Sequence, residues 1–296
     1  VDSWTSTHTS IDDVTLCTHT SADRLYMLRG MCVNWRGPLS AIVYLPLPLF
    51  QHSSNQHKLD QMRQDLTYLH ADIQRQGDCF MDITLVTEHL SPDHVASSYP
   101  YNALRNQALA RSHTRLVMPV DVDYLMSQGM RNRLLEEPGW SALLRDTHIN
   151  KDVVVVPSFE TKDTLPIELG RAMAVRAVHS PTKGGLREVF MKTFITRSAS
   201  YFDERRDHQP PTTAYDYLKW FLADRPYVVK FGDLGYEPII IMARVHVPWF
   251  DERFRGYGWD KFTHMYQLTH SGGGNGGGSG NKKRDGFNLV AHPSAF

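Results

Sequence analysis

Apolar positions in this chain fall into two patterns, short continuous runs and helical spacings, and the two alternate. Asp13 to His19, rich in Val, Leu and Thr, predicts a strand. Ser21 can cap a following helix that carries Leu25, Leu28 and Cys32 on one face. Leu39 to Leu45 reads as a second strand, closed by Pro46 and Pro48. Leu59, Met62, Leu66, Leu69 and Ile73 recur at the steps of an amphipathic helix. Met81 to Thr87 predicts a third strand, and Tyr101 to Ser112 a helix with Leu104, Ala108 and Leu109 inward. Arg115 to Val120 then reads as a buried strand. Strands alternating with helices in this way predict an α/β fold, a parallel sheet covered by helices.

The second half is less regular. Helices are expected over Arg131 to Leu144, Leu165 to Val178, Leu186 to Phe194 and Lys261 to Leu268. Strands are expected at Val153 to Pro157, Tyr227 to Val229, Pro238 to Ala243 and Phe287 to Ala291, the last leading into His292. Arg197 to Pro211 reads as a polar loop, and Gly272 to Gly280, nearly all Gly, Asn and Ser, as a flexible one. Residues 1–12 form an N-terminal segment. A single domain is expected over 13–296, in halves 13–124 and 125–296, with a flexible loop at 271–284.

A chain of 296 residues has room for a substantial core. Its composition, 41% hydrophobic and 22% charged, is that of a globular protein. Lys+Arg and Asp+Glu balance at 32 each, so charge gives no reason to expect nucleic acid or an acidic membrane as partner. No apolar stretch is long enough for a membrane span, and no signal peptide follows Val1. The cysteines Cys17, Cys32 and Cys79 have neither CxxC nor zinc spacing. A Cys17–Cys32 bridge is conceivable, but buried free thiols are the expected state. No Asn-x-Ser/Thr sequon occurs.

The candidate chemistry centres on Asp121-Val122-Asp123, which follows the buried strand at 115–120. Two carboxylates one residue apart can share a hard divalent cation, and oxygen ligands of this kind suit Mg²⁺ or Mn²⁺. The tripeptide is common by chance and by itself is often a solvated turn. Its position strengthens it, because ligands of such sheets bind outside the carboxyl ends of the strands.

Further blocks run in order along the chain: Thr15-Leu16-Cys17-Thr18, Asp23-Arg24-Leu25, Trp35 to Ser40, Tyr101-Asn102-Ala103-Leu104-Arg105-Asn106, Val156 to Glu160 and His208-Gln209-Pro210-Pro211-Thr212. The most distinctive is Phe250-Asp251-Glu252-Arg253-Phe254-Arg255-Gly256-Tyr257-Gly258-Trp259-Asp260-Lys261. Together they resemble glycosyltransferase family 49, the LARGE-type and β-1,4-glucuronyltransferase enzymes. Familiar members usually carry Asn where this chain has Asp260. The region from Lys162 to Arg206 matches poorly, and the loop around Gly272 is unusual. These departures leave donor and acceptor open.

The resemblance implies a GT-A fold, a Rossmann-like and mostly parallel central sheet flanked by helices, and inverting transfer from a UDP-sugar to a glycan or glycoprotein. Asp121 and Asp123 would hold Mn²⁺, or alternatively Mg²⁺, against the UDP diphosphate, with His292 as third ligand or else a surface histidine. Asp260 would be the general base or a helix cap, with Asp251 and Glu252 as rival bases. Arg105 and Asn106 would bind the donor, unless Arg105 forms a structural pair with an Asp. Gly256 and Gly258 would let backbone approach the donor or simply form a turn. Tyr257 and Trp259 would stack on an acceptor sugar or pack in the core. UDP-glucuronate is the first donor, needing a cation from Arg105, Lys230 or Arg253; UDP-GlcNAc, UDP-xylose and UDP-galactose are the alternatives. A catalytically silent glycan binder and a metal phosphohydrolase are the rival functions. Residence in the Golgi or secretory lumen is expected, with any anchor outside this sequence, and a homodimer is left open.

Overall fold

A computed structural model describes residues 2–7, 10–91, 99–161, 164–192, 195–197, 217–229, 237–256, 258–270 and 287–291. Two compact units emerge. The first is Val1–Met126 with Trp249–Asp260, and the second is Ser127–Pro248 with Lys261–Phe296.

The first unit follows the alternation of the sequence. Its elements are β1 (Asp2–Trp4), β2 (Val14–Ser21), α1 (Leu25–Trp35), β3 (Pro38–Pro48), α2 (His52–Gln76), β4 (Phe80–Leu90), α3 (Tyr101–Arg111) and β5 (Leu116–Pro119). The strand order is β1-β4-β3-β2-β5. β2, β3, β4 and β5 are parallel, with Leu16 opposite Leu39, Ala41 opposite Ile83 and Val14 opposite Leu116. β1, in the expected N-terminal segment, adds an antiparallel edge to β4. Both faces of β2 and β3 are covered, so these strands are buried almost throughout, as continuous apolar runs require. Leu28 and Met31 of α1 and Leu66 and Ile73 of α2 are fully buried.

Three local expectations are corrected. Ser21 does not cap α1; Ala22–Arg24 forms a 3₁₀ turn first, and the Ser21 side chain makes no capping bond. β3 does not stop at Pro46. It runs on beside β4 to Pro48, whereas its pairing with β2 ends at Tyr44. Beyond Tyr44 one side of β3 has no β2 ladder to supply, so a residue lacking an N–H is tolerated there. Cys32 bridges Cys79, not Cys17, so the thiols of this pair are not free. The reason is topological. Gly37, just before β3, and Phe80, the first residue of β4, are joined by a Phe80 N–H to Gly37 carbonyl bond of 3.1 Å, which brings Cys79 beside the last turn of α1. Cys17 lies within β2, buried and reduced.

The second unit contains α4 (Met130–Leu135), α5 (Gly139–His148), β6 (Asp152–Val156), β7 (Phe159–Thr161), α6 (Ile167–Val178), α7 (Lys183–Met191), β8 (Ile195–Arg197), α8 (Tyr217–Leu222), β9 (Tyr227–Val229), β10 (Ile239–Ala243), α9 (Asp260–His270) and β11 (Asn288–Ala291). Asp260, the first residue of α9, belongs to the first unit. The strand order is β10-β6-β11-β9, with β11 parallel to β6 and the outer pairings antiparallel. β7 and β8 form a separate antiparallel ribbon. The single helix expected over 131–144 is two, α4 and α5, interrupted at 136–138, where Pro138 cannot continue a helix. The expected loop at 271–284 and residues 198–211 lie outside the described residues. No described helix is long and apolar enough to cross a membrane.

Candidate active site

Ladder bonding between β2 and β5 continues one residue past β5, with the Val120 N–H donating to the Cys17 carbonyl at 3.0 Å. Val120 and Val122 are buried, and the chain leaves β5 in a turn that carries Asp121 and Asp123. Asp121 is partly exposed and Asp123 is exposed. A bond of 3.2 Å from the Tyr124 N–H to the Asp121 carbonyl closes the turn. Two carboxylates therefore stand at the carboxyl edge of the parallel strands.

α3 packs beside them and carries three buried polar side chains on one face, Asn102, Arg105 and Asn106. Arg105 is only 6% exposed. Its Nη2 donates to Asp121 Oδ1 at 3.3 Å, and its Nη1 donates to Asn102 Oδ1 at 2.9 Å and to Asp260 Oδ2. The guanidinium carbon lies 5.7 Å from the Tyr101 ring centroid and 5.5 Å from that of Phe250. Burial opposes the charge of Arg105, but Asp121 and Asp260 outweigh it and its pKa is raised.

Asn106 is a clamp on the 250–252 backbone. Its Nδ2 donates to the Phe250 carbonyl at 2.9 Å and to Glu252 Oε1 at 2.8 Å, while its Oδ1 accepts the Phe250 N–H at 2.8 Å. Asn102 Nδ2 donates to the Asp251 carbonyl at 2.8 Å. The Gly256 N–H donates to the Tyr99 carbonyl at 2.9 Å. Gly256 and Gly258 adopt φ of +78° and +111°, a region that suits glycine, and Trp259 follows at +63°. These turns deliver Asp260, 7% exposed, to the first position of α9. Trp259 is 48% exposed and is no core residue.

Asp251 is differently placed. Arg253 forks onto it, with Nε to Oδ1 at 2.9 Å and Nη2 to Oδ2 at 2.6 Å, and the Arg253 N–H adds a bond of 3.0 Å. These contacts hold its pKa down at about 2.

A layer that the sequence reading missed lies at the same edge of the sheet. His19 Nδ1 is 3.1 Å from the Tyr99 hydroxyl, and Tyr99 packs against Tyr101 with centroids 4.5 Å apart and against Tyr44 at 5.2 Å. Tyr44 donates to Glu88 Oε2 at 2.7 Å, and Arg255 Nη2 donates to the same oxygen at 2.6 Å. Burial, and then Glu88, raises the Tyr44 phenol. Burial also opposes the charge of Glu88, but Arg255 and Tyr44 prevail and lower it. The one signal in the sequence was a clustering of aromatic and charged residues at predicted strand ends.

Of the expected site residues, the fold brings Asp121, Arg105 and Asp260 into one charged cluster and makes Asn106 a backbone clamp. His292, Tyr257, Lys230 and the 208–212 loop lie outside the described residues. Among the described residues no group of three His, Cys, Asp or Glu side chains is placed to hold a metal ion.

Comparison with known proteins identifies the class of the chain. The family model described as "Glycosyl-transferase for dystroglycan", that of glycosyltransferase family 49, matches residues 13–76 and 62–272. This chain belongs to glycosyltransferase family 49. Among relatives, human xylosyl- and glucuronyltransferase LARGE2 is 30% identical over 265 residues, covering 86% of this chain and 30% of the relative. Human LARGE1, with the same descriptive name, is 28% identical and covers 86% of this chain and 29% of the relative. The family 49 chain thus spans about 30% of the length of these relatives. A crystal structure of S. aureus TarS, residues 1–349, shares 12% identity at a TM-score of 0.35, over 94% of this chain and 57% of that one. That likeness is too slight to bear on function. The α/β class and the family expected from the sequence both hold.

Proposed function

We propose that this family 49 chain is a metal-dependent, inverting glycosyltransferase that moves a sugar from a UDP-sugar to a glycan acceptor. The observation that carries the reading is the Asp121/Asp123 pair at the carboxyl edge of a parallel sheet, in a chain of a sugar-transferring family. The donor set fits a hard cation, since both side chains offer carboxylate oxygens and Asp123 faces solvent. Mn²⁺ is the proposed ion, with Mg²⁺ the alternative and His292 a further proposed ligand. Bound there, the cation neutralises charge that grows on the departing UDP.

Asp121 and Asp123 are the residues that would hold the ion at the diphosphate end of the donor. Gly256 and Gly258 leave backbone without side chains beside the donor. Trp259, half exposed, offers a ring face to an acceptor sugar. Inversion requires a base to take the acceptor hydroxyl's proton. Asp251 is unsuited, because a carboxylate held near pKa 2 is a feeble base at neutral pH. Asp260 is the base proposed first, with Glu252, whose Oε1 accepts a bond from Asn106, as the remaining rival.

UDP-glucuronate is the donor proposed first, because relatives are named for glucuronyl transfer. An uncharged donor such as UDP-xylose is the second reading. It is favoured by the burial of Arg105 against Asp121 and Asp260, which commits that cation before any glucuronate arrives. The Cys32–Cys79 bridge supports an oxidising, lumenal compartment.

A screen of UDP release across UDP-glucuronate, UDP-xylose, UDP-GlcNAc and UDP-galactose with Mn²⁺ tests the function. Slow hydrolysis of one donor is expected, and it would name the sugar without a known acceptor. Release from none, despite Mn²⁺-dependent UDP binding, would favour the catalytically silent reading.

A further inference from the structure

We propose that Arg105 is a positioning residue whose single buried guanidinium fixes the Asp121 carboxylate for the metal and ties it to Asp260 at the start of α9. The inference rests on the reading of Asp121 as a metal ligand.

The geometry leaves Arg105 no room for the donor contact expected from the sequence. Its two ring neighbours, Tyr101 and Phe250, stand 5.7 and 5.5 Å from the guanidinium carbon. Its edge is occupied by Asn102 Oδ1 at 2.9 Å, Asp121 Oδ1 at 3.3 Å and Asp260 Oδ2. Only 6% of the residue is exposed. A planar fork held by three acceptors is a rigid part, and its partners inherit that rigidity. Outer groups that hold a ligating side chain set its direction toward the metal.

Charge adds a second argument. Arg105 faces two carboxylates, Asp121 and Asp260. One positive charge set against two negative ones holds Asp121 in place yet leaves the cluster net negative, which suits a divalent cation. A lone Arg105–Asp121 pair would neutralise the ligand it orients.

The test is Mn²⁺ affinity, titrated by calorimetry at a fixed concentration of UDP, on the full chain. Arg105→Lys keeps the charge but cannot bridge both carboxylates. It should fold and bind Mn²⁺ about 10- to 100-fold more weakly. If that variant folds poorly, Arg105→Gln combined with Asp260→Asn removes equal and opposite charges and leaves no lone charge at 260. It should melt close to the wild type and still bind Mn²⁺ about 10- to 100-fold more weakly. A purely structural role would lower the melting temperature and leave Mn²⁺ affinity intact. Wild-type affinity in either folded variant overturns the proposal. Asp123→Ala separates the two failures. If it abolishes Mn²⁺ binding while the Arg105 variants bind normally, only the positioning role falls. If it too binds normally, the metal site and the positioning role fall together.

Discussion

Asn106 shows what a buried amide does when every polar atom has a protein partner. It exchanges two hydrogen bonds with the backbone of Phe250 and donates a third to Glu252. Asn106→Ala would remove both side-chain hydrogen bonds to the Phe250 backbone and the one to Glu252, at a cost of about 1–3 kcal/mol. Urea denaturation should show that loss, and a change under about 0.5 kcal/mol would mean that the 250–252 segment is anchored elsewhere. The residue was legible as part of a motif but not in its role. Its partner is 144 positions away, and no local pattern in a chain records which distant backbone a polar side chain will meet. Arg105 repeats the lesson, because the Asp121 contact spans 16 residues and the Asp260 contact 155. The structural Arg–Asp pair weighed from the sequence is what the fold contains.

At the scale of elements, the first unit was read well because parallel strands and amphipathic helices each impose a period on the chain. α2 and α3 lie where the apolar spacing put them. Errors fell where a neighbour, not a period, decides. β3 tolerates Pro46 only because β2 has ended beside it, and α4 and α5 part at Pro138. The Cys32–Cys79 bridge is a consequence of adjacent parallel strands that the linear chain does not announce. It closes a separation of 47 residues, and the loop-entropy relation gives about 4 kcal/mol for such a closure. Thermal melts of wild type and Cys79→Ser, with and without a reductant, check this. The wild type should lose stability on reduction and the variant should be lower already and indifferent. Equal melting temperatures throughout would mean that the bridge does not form.

Across the whole molecule, balanced charge hides a local excess. Acidic and basic residues number 32 each. At the carboxyl edge of the first unit, however, Glu88, Asp121, Asp123, Asp251, Glu252 and Asp260 outnumber Arg105, Arg253 and Arg255. Such an excess of carboxylates favours a divalent cation, which is what the proposed metal site requires. The most direct measurement is the melting temperature with UDP and Mn²⁺ added singly and together, in wild type and Asp123→Ala. The account predicts a stabilisation of the wild type that needs both additions and is absent in the variant. An identical shift in Asp123→Ala would contradict it.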